Sequence, residues 1–233
     1  MKLSVNAYYK SFCHLIFPHI CANCNSDALN DDGFLCAECF NSLPKTGFFD
    51  IVDNPVERLF YGRAKINAAA SGYYFNKHSI IQNLIFQLKY HGNKEAGHFL
   101  GRQIGGFLNK SSRFSSIDAI VPVPLNLIRE RRRGYNQSLI IANGINEVFN
   151  RSVLSGLLIR LRNTETQTTK KRMARFSNME NVFEITNHSL IENKHILLID
   201  DVLTTGATLE SCSNAILAIS DTQVSIATIA VAQ

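Results

Sequence analysis

The sequence predicts an α/β fold, a parallel sheet flanked by helices, preceded by a small cysteine-bearing module. Three observations predict it. The runs "HILLID" (195–200) and "QVSIATIAVA" (223–232) are almost continuously apolar, as strands are when crossover helices cover both faces of a parallel sheet. From about residue 60 such runs alternate with helical patterns, the order of a βαβ chain. Ahead of them, four of the six cysteines stand in two C-x-x-C pairs between residues 21 and 39. These observations divide the chain into residues 1–55, carrying a helix, the cysteine module and a linker, and residues 56–233, carrying the α/β domain.

Composition agrees with a folded protein. Hydrophobic residues make up 45% and charged residues 18% of 233, which excludes a disordered chain. The 24 basic and 19 acidic residues leave +5, a balance that suits a phosphorylated ligand, weak nucleic-acid affinity or an ordinary enzyme. No apolar run reaches membrane-span length. Tyr8, Tyr9, Lys10, His14 and Pro18 interrupt the first stretch, so it reads as a short amphipathic helix with Tyr9, Phe12 and Ile16 on one face and not as a secretory signal. The expectation is a cytoplasmic protein.

In chain order, "CANC" (Cys21, Cys24) and "CAEC" (Cys36, Cys39) come first, with a polar, turn-rich insert between them. Two such pairs can converge four thiolates on one zinc in a closed, structural site. Two disulfides or unpaired thiols are the alternatives, and a reducing cytosol disfavours the former. Cys13 and Cys212 are left over; Cys212 sits in an apolar helical stretch and reads as a small core residue. "NSLPKTGFFDIVDNP" (41–55) reads as a linker. "SGYYFN" (71–76) reads as a strand and "SIIQNLIFQLKYHG" (79–92) as a helix closed by Gly92. "AGHFLGRQIGGFL" continues helically, with Gly101, Gly105 and Gly106 weakening the pattern. "IDAIVPVP" is a strand stopped by Pro122 and Pro124, a helix follows from about Gln137 to Phe149, and "GLLIRLR" (156–162) is a third apolar run expected as a buried strand.

The chemistry concentrates in "ILLIDDVLTTGATL" (196–209). Ligands of open parallel sheets bind beyond the carboxyl ends of strands, and Asp200 and Asp201 fall at that edge. Gly206 permits a tight turn and close backbone approach. The amides of Thr205 to Thr208 would be first-turn donors at the positive end of a helix, a phosphate-monoester site. Paired carboxylates beside a phosphate suit sugar hydroxyls or a shared divalent cation. A terminal phosphate, a ribose diol and a metal-bound pyrophosphate together describe 5-phosphoribosyl 1-pyrophosphate. A Walker B strand is excluded because no G-x-x-x-x-G-K-[ST] occurs, and the G-x-G-x-x-G fingerprint is also missing.

"ILLIDDVLTTGATL" is similar to the phosphoribosyl-pyrophosphate signature of type I phosphoribosyltransferases. With the paired cysteines, "QLKYHGN" (87–93), "VPVPLNLIRERRRGYNQS" (121–138) and "RNTETQTTKKRMARFSNMENVF" (162–183), the chain resembles the competence protein F family nearly end to end. That resemblance implies a type I phosphoribosyltransferase-like sheet, an N-terminal zinc module, and phosphoribosyl pyrophosphate bound with magnesium. It assigns Asp200, Asp201 and Arg175 to catalysis, the two aspartates also to magnesium. Substrate contacts would come from Val202, Thr204, Thr205, Gly206, Ala207 and Thr208, and from Pro122, Val123 and Pro124. Arg133, Tyr135, Asn136, Gln137 and Gln167 complete the set. A rigid turn explains Pro122–Pro124 equally well, and a solvated basic face accounts for Arg129, Arg131 and Arg132. Residues 163–181, with Gln167, Arg172 and Arg175, read as a lid or as a plain surface loop. Lys89 and His91 would touch a ligand or merely flank a helix. The family is associated with uptake of transforming DNA, so single-stranded DNA and DNA-processing proteins stand as partners. A non-catalytic DNA-handling role is the alternative to phosphoribosyl transfer onto an acceptor that the sequence does not specify.

Overall fold

The computed structural model describes residues 20–29, 33–161 and 182–232. Tyr9, Phe12, Cys13, Ile16 and the whole of the expected lid (163–181), with Gln167, Arg172 and Arg175, lie outside the described residues.

A short helix α1 (Ala37–Asn41) has Cys36 as its N-cap and carries Cys39, and α2 (Pro55–Arg58) leads into the domain. Strand β1 (Ala68–Phe75) is followed by α3 (Ile80–Tyr90), α4 (Lys94–Lys110) and β2 (Ala119–Pro122). Then come α5 (Leu127–Arg133), α6 (Gln137–Phe149), β3 (Ser152–Val153), β4 (Leu158–Arg160) and β5 (Phe183–Ile185). The chain finishes with β6 (His195–Leu203), α7 (Ala207–Leu217) and β7 (Gln223–Ala232). Five strands form one sheet in the order β1-β7-β6-β2-β3, and every neighbouring pair is parallel. The longest apolar runs take the middle of this sheet, where both faces are covered.

Local chemistry sets the element ends. Ser79 caps α3 by accepting from the Gln82 amide at 3.1 Å, and Gly92 leaves the helix at φ +70°, as the closing glycine predicts. Two of the glycines that weakened the α4 pattern, Gly101 and Gly105, have a packing reason; Gly106 faces open space. A Cβ at Gly101 would collide with the Ile141 carbonyl, and one at Gly144 with the His98 carbonyl, so α4 and α6 cross backbone against backbone.

Two expectations are corrected. "GLLIRLR" does not enter the main sheet: β4 pairs antiparallel with β5 in a separate hairpin, with Ile159 exposed. The expected linker is no loose connection. Thr46 N donates to the Gly72 carbonyl at 3.0 Å and Tyr74 N to the Pro44 carbonyl at 2.9 Å, along the free edge of β1. Phe48 and Phe49 are buried there, and Asn54 caps α2 while donating to the Ala69 carbonyl at 2.9 Å. Two aromatic residues in a Pro- and Gly-punctuated stretch outweigh its turn signals, because burying them is worth about 1.5–3 kcal/mol each.

Candidate functional site

Strand β6 runs three residues past "HILLID" and carries both acids near its carboxyl end. Asp200 is half-buried and Asp201 buried. Ser138 Oγ, in the first turn of α6, donates to Asp200 Oδ1 at 3.0 Å, and the Asp201 amide donates to the same oxygen at 2.9 Å. Lys89 Nζ, from the last turn of α3, lies 2.9 Å from Asp201 Oδ2. The approach is too oblique for a hydrogen bond, so that buried oxygen has charge compensation without a donor. Burial, and then the charge of Asp201, push Asp200 up to about 7, against the opposing pull of the Asp201 amide, Ser138 and Lys89. Two carboxylates served by one ammonium leave the pair short of positive charge.

The turn after β6 is built differently from an ordinary helix start. Gly206 has φ +77° and is the N-cap of α7, so the cap residue offers no side chain, and the Ala207 amide meets Thr205 Oγ1 only at 3.5 Å. The open donors and the helix dipole therefore face the cavity. That cavity, about 50 Å³, is lined by Asp200, Val202, Leu203 and the turn from Thr204 to Leu209. Two residues invisible to a motif scan hold the turn from behind. Arg63 Nη1 donates to the Thr205 carbonyl at 2.9 Å and Arg63 Nε to Glu210 at 2.9 Å. The fully buried Phe60 ring lies 3.3 Å from where a Gly206 Cβ would stand.

The neighbouring "PVP" turn is stitched to β6. Pro122 ends β2, Val123 N donates to the Ile199 carbonyl at 2.9 Å, and half-buried Pro124 follows. Asn136 Oδ1 caps α6 by accepting from the Ser138 amide at 2.9 Å, while its Nδ2 donates to the Val123 carbonyl at 2.9 Å. The Tyr135 hydroxyl donates to the Leu88 carbonyl, and Lys94 Nζ sits 5.2 Å from its ring centroid. Arg133 lies 5.4 Å from the Tyr90 ring centroid. Gln137 is buried, with its Oε1 unpartnered. The fold thus gathers Asp200, Asp201, Ser138 and Lys89 at one edge of the sheet, and places Arg133 and Tyr135 against the end of α3. Of these, Ser138 carried no motif signal of its own; its position two residues beyond a capping Asn is the only hint.

The cysteine module also closes. The sulfurs of Cys21, Cys24, Cys36 and Cys39 all lie within 4.8 Å of one another, and the Cys24 and Cys36 sulfurs are 3.7 Å apart. Tetrahedral zinc with Zn–S bonds of about 2.3 Å asks for sulfurs about 3.8 Å apart, so the donor set fits a structural zinc. Burial opposes ionisation of Cys21, but donors at Cys24, Cys36 and Asn23 overcome it and pull the thiol down to about 6. Cys24 and Cys39 shift the other way, because the donors from Ser26 and Asn23 are outweighed by neighbouring thiols and burial, so the fit to a metal rests on the sulfur geometry. Cys212 is buried within α7, consistent with a core role. No helix among the described residues is long and apolar enough to cross a membrane.

Known proteins share these features. A phosphoribosyl transferase domain profile matches residues 119–232, the stretch from β2 to β7. The chain is 25% identical to competence protein F of Haemophilus influenzae over 198 residues, covering 84% of this chain and 77% of that protein. It is 29% identical to competence protein ComFC of Bacillus subtilis over 205 residues, 85% of this chain and 78% of the relative. The DNA utilization protein YhgH of Escherichia coli K12 is 30% identical over 137 residues, 58% of this chain and 60% of that one. The first two alignments are too long to lie within the phosphoribosyl transferase region alone, so the likeness includes residues ahead of it. With its parallel sheet, flanking helices and converged cysteines, the chain is a homologue of competence protein F and ComFC that carries a phosphoribosyl transferase domain.

Proposed function

We propose that this chain binds 5-phosphoribosyl 1-pyrophosphate with magnesium at the carboxyl edge of β6 and transfers the phosphoribosyl group to an acceptor, as a cytoplasmic protein of DNA handling. The observation that carries the proposal is a single turn in which a half-buried and a buried carboxylate precede a helix start whose N-cap is a glycine, with no cap side chain of its own. The turn from Thr204 to Thr208 takes the terminal phosphate on its amides and hydroxyls. Asp200 and Asp201 take the ribose hydroxyls, hold magnesium, or do both, and their hard oxygen donors suit that ion. Magnesium, when bound, neutralises charge on the departing pyrophosphate. Asp200 would give up its proton to a bound cation, Ser138 orients it, and Lys89 offsets the charge of Asp201. Arg175 and Gln167 are the proposed lid contacts. Catalysis of this kind is positioning and electrostatics, and needs no covalent nucleophile. The four cysteines hold a structural zinc.

A second reading has its own observation. Phe86 and Tyr90 are exposed on α3 with ring centroids 4.9 Å apart, and Arg133 stands over Tyr90. Aromatic rings beside arginines make a stacking platform for single-stranded DNA, which accords with the DNA named for the relatives. Both readings are compatible in one protein.

Titration calorimetry with phosphoribosyl pyrophosphate and magnesium tests the first reading. Binding to the wild type and none to a folded Asp200→Asn, Asp201→Asn double variant is expected. Equal binding by both proteins would remove the acidic pair from the site, and no binding by the wild type would defeat the reading outright.

A further inference from the structure

The last turn of α3 is held at four successive residues by three parts of the molecule: the cysteine module, the α5–α6 junction and β6. Gln87 Nε2 donates to the carbonyl of Ala22, inside the first cysteine pair, at 2.7 Å. The Leu88 carbonyl accepts from Tyr135, Lys89 pairs with Asp201, and Tyr90 faces Arg133. A turn earlier, Asn83 Nδ2 donates to Asn23 Oδ1 at 3.1 Å, and Asn23 Nδ2 in turn reaches the Cys39 sulfur at 3.4 Å.

We infer that this turn couples the four-cysteine module to the acidic pair, with Gln87 as the positioning residue, so that losing metal from the module weakens ligand binding at the β6 edge. The module's small size is the reason. Residues 20–41 are too few to build a core of their own, so the Cys21–Cys24 turn keeps its shape only while four thiolates converge on a metal. Gln87 reads that shape through the Ala22 carbonyl. A helix passes the displacement on, because Lys89 lies on the same turn of α3, about 3 Å further along its axis. Asp201 Oδ2 has no hydrogen-bond donor, so its charge compensation follows wherever Lys89 is placed. Phe34 and Phe40 pack on Phe99 of α4 at 4.9 and 6.4 Å and hold the rest of the module to the domain when the Gln87 contact is removed.

The ligand half of this inference rests on the phosphoribosyl-pyrophosphate reading, so the test carries a readout that does not. In Gln87→Ala, zinc per chain stays at the wild-type value. Affinity for phosphoribosyl pyrophosphate with magnesium falls about fivefold, the lower end of measured couplings between sites. Coupling is reciprocal, so bound ligand retards zinc loss to a chelator in the wild type and does so less in the variant. Hydrogen exchange at residues 200–208 quickens in Gln87→Ala and in chelated wild type, while β7 keeps its protection. Wild-type affinity together with wild-type exchange at 200–208 in Gln87→Ala would overturn the coupling. If the wild type binds no phosphoribosyl pyrophosphate, the functional reading fails by itself and exchange still decides. Quickening at 200–208 upholds the coupling, and changes confined to residues 20–41 overturn it.

Discussion

Two strand-to-helix turns meet at the same edge of the sheet, and they treat their polar groups in opposite ways. After β2, the chain consumes them: Val123 N is given to Ile199, the Val123 carbonyl is taken by Asn136, and the same Asn136 caps α6. After β6, the cap is a glycine in the left-handed region, and the first turn of α7 has only a long contact from the Ala207 amide to Thr205 Oγ1 at 3.5 Å. Asn at a cap satisfies a helix start at little cost, and replacing it with glycine gives up a few tenths of a kcal/mol of helix stability. A chain that uses Asn at one helix start and glycine at another has left the second open, with Asp200 lining the cavity beside it. Polar groups satisfied by the protein belong to the scaffold; those left open belong to the site.

Substitutions can break that contrast. The largest effect is expected for Gly206→Val. A branched residue at φ +77° costs roughly 1–2 kcal/mol for the left-handed backbone alone, and its methyl groups would also press on the Phe60 ring. Denaturant unfolding should register that loss, and calorimetry should find ligand binding abolished. Binding that survived in Gly206→Val would mean that the turn is not the phosphate site.

The pH dependence comes next in size and sharpens the role of the acidic pair. Asp200 is an acid whose folded-state pKa, about 7, stands above its ordinary 3.8, so a cation must displace its proton. Ligand affinity should rise roughly tenfold per pH unit up to about 7 and then level, the slope of one released proton. For the ligand-free protein the sign reverses. The stability contributed by the protonated group is full below its unfolded value and is lost as pH rises through about 7. Asp200→Asn should therefore flatten the stability profile across that window and remove the proton release seen in calorimetry. A wild-type affinity independent of pH between 5 and 8 would contradict this.

The smallest effect belongs to the satisfied turn. Asn136→Ala should cost about 1 kcal/mol of stability for the lost cap, with ligand affinity unchanged within experimental error. A collapse of affinity without loss of stability would move Asn136 from the scaffold into the pocket.

Much of the contrast was legible in the sequence, but unevenly. The β6 turn announced itself because acids, threonines and glycine lie within one short stretch, and local backbone needs fix residue type there. The cysteine module was legible for the same reason: ligand spacing is a local constraint. Tertiary partners were not. Nothing adjacent to Lys89 says that it meets Asp201, and nothing near Arg63 or Phe60 says that they brace the turn after β6 from behind. Gly101 and Gly105 of α4 misled in the opposite direction, since a helix-weakening residue is retained where two backbones must touch. The stretch from 41 to 55 was read from its prolines and glycine as a linker, whereas its two phenylalanines decide its packing.

The most direct measurement is a crystal structure of the protein grown with phosphoribosyl pyrophosphate and magnesium. The account predicts the terminal phosphate within hydrogen-bond distance of the Thr205–Thr208 amides, the ribose beside Asp200 and Asp201, and no phosphate at the Asn136-capped turn. A phosphate seated instead on α6 or on the arginines of α5, with the Gly206 turn bare, would contradict it.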